Sequence, residues 1–168
     1  MAITQRRVSM EISIDNRSGQ LLPLERVEEL AAFVLESEGL PRVTELSLSF
    51  VDRDEITSLN TKYRAKPEPT DVLSFELDDP SDFSACDGAE ELLIGDVIIN
   101  PDLAKEHADR DGLSLEEQLW VLVIHGILHL VGYDHIKDDQ AKLMEAAEDD
   151  YLYRFIHGDT QLRQVQDD

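Results

Sequence analysis

Residues 114–135 read SLEEQLWVLVIHGILHLVGYDH, and this stretch decides the fold. Ser114 followed by Glu117 is a capping box, which predicts that a helix begins there. From residue 119 to residue 130 the apolar side chains leave almost no polar face, and a helix that is apolar all round lies in the middle of a domain. Gly132 predicts the helix end, because glycine adopts the left-handed conformation that commonly follows a helix.

The rest of the chain alternates between strand and helix patterns. Apolar residues at every second position predict strands at 8–14, 43–51, 71–77 and 91–99, the last with a bulge at Gly95-Asp96. Helical spacing predicts helices at 24–35, 52–63, 101–109 and 140–155, the last capped by Asp138 or Asp139. We therefore predict an α+β fold, with one mixed sheet of about four strands packed by about five helices around the central apolar helix.

Length and composition predict a single domain over residues 1–168, with 157–168 as a frayed tail. Hydrophobic residues make up 42% of the chain, as in globular proteins. No apolar run reaches the ~18 residues of a membrane span, so we expect no membrane association. The N-terminus shows no secretory signal, and Cys86 is the single cysteine, which excludes an internal disulfide. A free surface thiol in a reducing cytoplasm is the expectation.

Taken alone, the net charge of −22 argues against a non-specific nucleic-acid binder, because such proteins need a positive face for the phosphates. The acidic excess is concentrated at 76–91 and 138–150. Against this background, Lys62, Arg64 and Lys66 form a small basic cluster near the middle of the chain.

Three of the five histidines lie within eleven residues. His125 and His129 stack on one helical face one turn apart, and His135 follows directly after the helix end. Packing alone would leave several imidazole nitrogens in need of separate partners. Three neutral imidazoles with the fourth position open instead predict one catalytic Zn²⁺ per chain, which lowers the pKa of bound water toward ~7 and makes hydrolysis the default reaction. His107 and His157 match no motif and are predicted to be surface residues.

The residue after the first histidine argues against proteolysis. His125, His129, Gly132 and His135 have the offsets of the long zincin pattern, in which a glutamate follows the first histidine as the general base. This chain has Gly126 at that place. A peptidase would lack its base there.

Three blocks of sequence together resemble the YbeY family, bacterial metal-dependent endoribonucleases of ribosomal RNA maturation. The histidine block HGILHLVGYDH at 125–135 is similar to the family's signature. LNTKYR at 59–64 with PTDVLSF at 69–75, and LIGDVII at 93–99, resemble two further blocks in the family's order. The resemblance covers about residues 60 to 135.

The resemblance implies zinc ligands at His125, His129 and His135 and a functional Arg64. It implies single-strand-specific cleavage of ribosomal RNA in 16S 3′-end maturation and ribosome quality control, in the cytoplasm, with the ribosome or small-subunit assembly proteins as partners. A guanidinium can bind the phosphate oxygens that gain charge during cleavage. The alternative for Arg64 is an ordinary surface arginine at a helix end.

The remaining candidates each keep two interpretations. Lys62 and Lys66 either extend a phosphate-binding edge or are solvated lysines. Thr70, Asp71 and Asp134 either orient a metal-bound histidine or line the cleft, or else cap or turn the chain. Two other functions stay open, namely a zinc hydrolase of peptides or small molecules, and a ribosome-associated factor whose metal is structural. No residue is assigned as the general base.

Overall fold

The computed structural model describes residues 10–82 and 91–158, and these form one mixed sheet with helices on it. The strands are β1 (Glu11–Asn16), β2 (Thr44–Phe50), β3 (Val72–Glu76) and β4 (Leu92–Ile99). The helices are α1 (Leu24–Ser37), α2 (Arg53–Arg64), α3 (Pro101–Asp111), α4 (Leu115–Leu130) and α5 (Asp138–Ile156), with a 3₁₀ turn at Pro80–Asp82. The predicted α+β class, with four strands and five helices in the described residues, is confirmed.

The strands lie in the order β1-β2-β4-β3. β1, β2 and β4 are parallel, and β3 pairs antiparallel with β4 at the edge of the sheet. Glu45 pairs with Leu93 while Leu46 pairs with Gly95, so Ile94 is an extra residue and the predicted bulge begins one position early. Gly95 has a φ of +139°, and a Cβ there would lie 2.1 Å from the carbonyl oxygen of Phe75, so only glycine fits.

Helix α4 occupies the centre of the fold, as its apolar sequence predicts, and contacts α1, α3, α5, β3 and β4. It begins at the predicted cap, where the Ser114 hydroxyl accepts a hydrogen bond from the Glu117 amide at 3.1 Å. At its end the Tyr133 amide donates to the Leu128 carbonyl at 2.9 Å, and the Gly132 amide donates to that of His129 at 3.2 Å. This is a Schellman motif, and it reverses the chain immediately after the helix.

Gly126 is the point where α4 lies closest to the sheet. A Cβ at this position would lie 2.6 Å from Cγ1 of Val97 on β4. At this glycine the helix therefore packs closely against a strand. The same contact gives the physical reason for the missing zincin glutamate, because no side chain fits between helix and strand here.

We expect Gly126→Ala to destabilise the protein by about 1–3 kcal/mol through overpacking, although alanine favours helix by about 1 kcal/mol. Urea unfolding followed by circular dichroism measures the effect. Val97→Ala alone creates a cavity, but combined with Gly126→Ala it makes room for the new methyl group. The double variant is therefore expected to lose less free energy of unfolding than the two single variants lose together. A Gly126→Ala variant more stable than the parent would contradict the close contact.

Several element ends differ from the prediction. β1 begins at Glu11 rather than residue 8, and residues 1–9 lie outside the described residues. The predicted cap of α5 is wrong, because Asp138 and Asp139 lie inside its first turn and Lys137 precedes it. Both carboxylates lie at the positive end of the helix dipole, which favours them there as much as at a cap.

Parts of the prediction fall outside the described residues. These parts are residues 83–90 of the acidic stretch 76–91, which include Cys86, and residues 159–168 of the tail. Within residues 10–82 and 91–158, no helix is long and apolar enough to cross a membrane.

Candidate metal centre

The three histidines of the predicted metal site lie together in the structure. His125 and His129 project from successive turns of α4, and the Schellman turn returns His135 to them. One nitrogen from each ring can be chosen so that all three lie within 4.8 Å of one another. The Nε2 atoms of His125 and His129 are 3.1 Å apart.

This spacing fits a zinc ion. Zinc–nitrogen bonds of about 2.0–2.1 Å in a tetrahedron place the nitrogens about 3.4 Å apart, close to the observed separation of the two Nε2 atoms. Burial, together with the neighbouring His125 and His135, lowers the pKa of His129, which favours the neutral imidazole that a metal requires. The residues present therefore fit a three-histidine zinc site.

The site opens into a cleft of about 860 Å³. His125 and His129 are half-buried and His135 is exposed, so the ligand set faces solvent on one side. The cleft joins the histidines to the end of α2 and to β3, and it is lined by Asn60, Arg64, Lys66, Glu68, Pro69, Thr70, Val72, Leu73, Ser74, Phe75, Glu76, His125, His129 and His135. Within residues 10–82 and 91–158 the cluster offers three ligands, and three protein ligands beside a cleft are the arrangement that a catalytic zinc site requires.

Arg64 reaches the same cleft from the last turn of α2. Its guanidinium donates a hydrogen bond to the Ser74 carbonyl at 2.9 Å and lies 5.3 Å from the centroid of the Phe75 ring. Ala65 ends the helix in the left-handed conformation, with a φ of 56° that non-glycine residues rarely adopt. Among the described residues Arg64 contacts no carboxylate, whereas Arg17, Arg26, Arg53 and Arg110 each do.

The outer edge of β3 lines this cleft. The backbone amide of Asn100 donates a hydrogen bond to the carbonyl of Asp71, and the backbone amide of Leu77 donates one to the carbonyl of Ile94. The main-chain groups of alternate residues in this segment therefore face β4. The main-chain groups of the residues between them, including Ser74, point outward along the cleft. The hydrogen bond from Arg64 to Ser74 lies on this free edge.

Residues 13–156 match the sequence model of a family described as Endoribonuclease YbeY. The chain belongs to this family. A relative of that name from Oceanobacillus iheyensis is 39% identical over 136 residues, covering 79% of this chain and 87% of the relative. Another from Staphylococcus epidermidis is 42% identical over 135 residues, covering 79% and 86%. The solution structure of TM1509 from Thermotoga maritima is similar, with a TM-score of 0.59 and 29% identity over 88% of this chain and 89% of that one.

Of the other site residues predicted for this YbeY family member, some line the cleft and others make contacts elsewhere. Lys66 and Thr70 line the cleft. Lys62 instead has its ammonium 5.1 Å from the centroid of the Tyr63 ring. The Asp134 carboxylate accepts a hydrogen bond from the Ile136 amide at 3.0 Å, which is a turn contact.

Asp71 orients a histidine, but not one of the three candidate ligands. Its carboxylate lies 3.0 Å from Nδ1 of His107 on α3. His107 is half-buried in this contact, so the expectation of a simple surface residue is wrong for it. His157 is exposed as expected.

Sequence reasoning missed Glu148 on α5. Its carboxylate oxygen Oε1 lies 2.5 Å from Nδ1 of His125, on the side of the ring away from His129. The signal was present in the sequence, because Met144, Tyr151 and Phe155 form the buried face of α5 and Glu148 has the same helical phase.

Proposed function

We propose that this YbeY family member is a zinc-dependent endoribonuclease that cuts single-stranded ribosomal RNA. The observation that carries the proposal is that three histidines with an open face share one cleft with Arg64, a cation that contacts no carboxylate among the described residues. The name that the family's relatives bear, endoribonuclease, supports an RNA substrate.

His125, His129 and His135 would hold the ion. When bound, zinc acts as a Lewis acid toward a phosphate oxygen or a water molecule. The chain's own residues bind the phosphate and stabilise its charge. Arg64 offers two parallel N–H donors to the non-bridging oxygens of the phosphate, and these bonds strengthen as the oxygens gain charge. Lys66 adds a second positive charge along the cleft.

The shape of the cleft favours an unpaired strand. Its wall includes the free edge of β3, whose outward amides and carbonyls can hydrogen-bond the sugars and phosphates of an extended chain. A duplex presents its phosphates on a rigid cylinder and cannot follow such an edge. This geometry supports the proposed specificity for single strands.

The charge of the protein limits how tightly it binds RNA alone. A net charge of −22 repels a polyanion, and the cations of the cleft are few. We therefore propose that the ribosome or a small-subunit assembly protein brings the RNA to the cleft, and that the protein acts in the cytoplasm.

Two alternatives are disfavoured by particular contacts. A peptidase of the zincin type needs a base after the first histidine, and Gly126 is packed against Val97 with no space for one. A structural zinc site is closed by four protein ligands, whereas this one opens into a cleft through the exposed His135.

The proposed substrate site is the 3′ end of 16S ribosomal RNA, which the resemblance of three sequence blocks to the YbeY family supports. Depletion of the protein in its own organism is expected to leave 16S RNA with unprocessed 3′ ends, measured by sequencing of those ends. The parent gene should restore mature ends, and a His129→Ala gene should not. Normal 16S ends after depletion would favour another zinc hydrolase.

A further inference from the structure

Glu148 lies directly behind the proposed zinc site. It belongs to α5, 23 residues beyond His125, and its carboxylate is 2.5 Å from Nδ1 of that histidine. We propose that Glu148 is a positioning residue, which fixes the orientation and proton of His125 and thereby sets the affinity for zinc. The inference rests on the proposed function of the three histidines as zinc ligands.

The contact selects one tautomer of His125. An ionised carboxylate can only accept a hydrogen bond, so Nδ1 of the imidazole must carry the proton. The lone pair is then on Nε2, which is the atom that faces Nε2 of His129 at 3.1 Å. Glu148 thus presents the correct nitrogen to the metal, and its negative charge makes that nitrogen a stronger donor.

The position of Glu148 is fixed by the packing of α5. Met144, Tyr151 and Phe155 on the same face are buried, and the Phe155 ring packs edge-on against Trp120 of α4 at 5.4 Å between centroids. The Glu148 side chain is only 23% exposed on this face. A carboxylate in such a place needs a polar partner, and His125 is that partner.

The geometry also separates positioning from proton transfer. Glu148 approaches His125 at Nδ1, whereas the nitrogen shared with His129 is Nε2. The imidazole ring therefore stands between the carboxylate and the cleft. Glu148 does not take the place of the general base that a zincin carries after its first histidine.

The test is the zinc dissociation constant, measured by competition with a chromophoric chelator. Glu148→Ala is expected to bind zinc about 10–100-fold more weakly than the parent, and Glu148→Gln, which keeps an acceptor oxygen without the charge, should lie between them. Glu145→Ala is the matched control, because Glu145 is exposed on the same helix. Its affinity should equal that of the parent.

A Glu148→Ala variant less than tenfold weaker than the parent, or an equal loss in Glu145→Ala, would overturn the inference while leaving the zinc site intact. A parent that binds no zinc would instead refute the proposed function. If the alanine variant does not fold, the isosteric glutamine variant decides, since unchanged zinc affinity there overturns the inference and weaker affinity supports it.

Nitrogen-15 NMR of the metal-free parent reports the tautomer of His125, which a role of Glu148 in packing alone would not determine. It should show His125 protonated at Nδ1, and the Nε2-protonated tautomer would contradict the assignment.

Discussion

His129→Ala is expected to abolish stoichiometric zinc binding. The parent should carry about one zinc per chain by elemental analysis, and the variant close to none, because two imidazoles cannot complete the site. The loss should exceed the 10–100-fold that changes behind the ligands typically cause. His129 is the central histidine of the three, since its ring lies 4.6 Å from that of His125 and 4.9 Å from that of His135.

The matched control is His107→Ala. His107 is also a half-buried histidine in contact with a carboxylate, but its partner is Asp71 and it is not one of the three clustered histidines. We expect this variant to keep its zinc, which shows that loss of zinc is specific to the cluster. A full zinc complement in folded His129→Ala would refute the ligand assignment.

Arg64→Ala is expected to keep zinc and fold but to lose RNA cleavage by about 10²–10³-fold, the usual effect of removing one donor that stabilises charge in the transition state. Arg64 is exposed and contacts the chain through the Ser74 carbonyl, so stability should change by only about 1 kcal/mol. The rate of cleavage of a labelled single-stranded RNA, with zinc content measured on the same samples, checks both expectations.

Arg53→Ala is the control for this change. Arg53 lies on the same helix but pairs with Glu106 at 2.5 Å instead of facing the cleft. Its removal should leave cleavage unchanged. Arg64→Lys keeps the charge without the two-pronged donor, and we expect an intermediate rate. Parent-level cleavage by Arg64→Ala would remove this residue from the mechanism.

The parts of the fold that could be predicted are those determined by residues close together in the sequence. The capping box at Ser114, the apolar run and Gly132 fix α4 and its end, because each signal acts within a few residues. The spacing of His125 and His129 places two ligands on one face for the same reason. The nearness of His135 follows from the turn at Gly132, and the structure has all three together.

The parts that could not be predicted depend on which helices, strands and loops come into contact. Glu148 contacts His125 only because α5 packs on α4. Asp71 contacts His107, which lies 36 residues further along the chain. The helical phase that Glu148 shares with Met144, Tyr151 and Phe155 indicates that it faces inward, but nothing local identifies His125 as its partner. The contact between Gly126 and Val97 could not be predicted either, because it depends on the order of the strands in the sheet.

The most direct test of the central claim is cleavage of a circular single-stranded RNA by the purified protein, because a circle has no end and yields a linear product only by an internal cut. The zinc-loaded parent is expected to linearise the circle, a chelator to stop it, and added zinc to restore it. His129→Ala, purified in parallel, should leave the circle intact, which excludes a contaminating nuclease. A circle that survives the zinc-loaded parent, or that His129→Ala cuts equally well, would contradict a zinc-dependent endoribonuclease at this site.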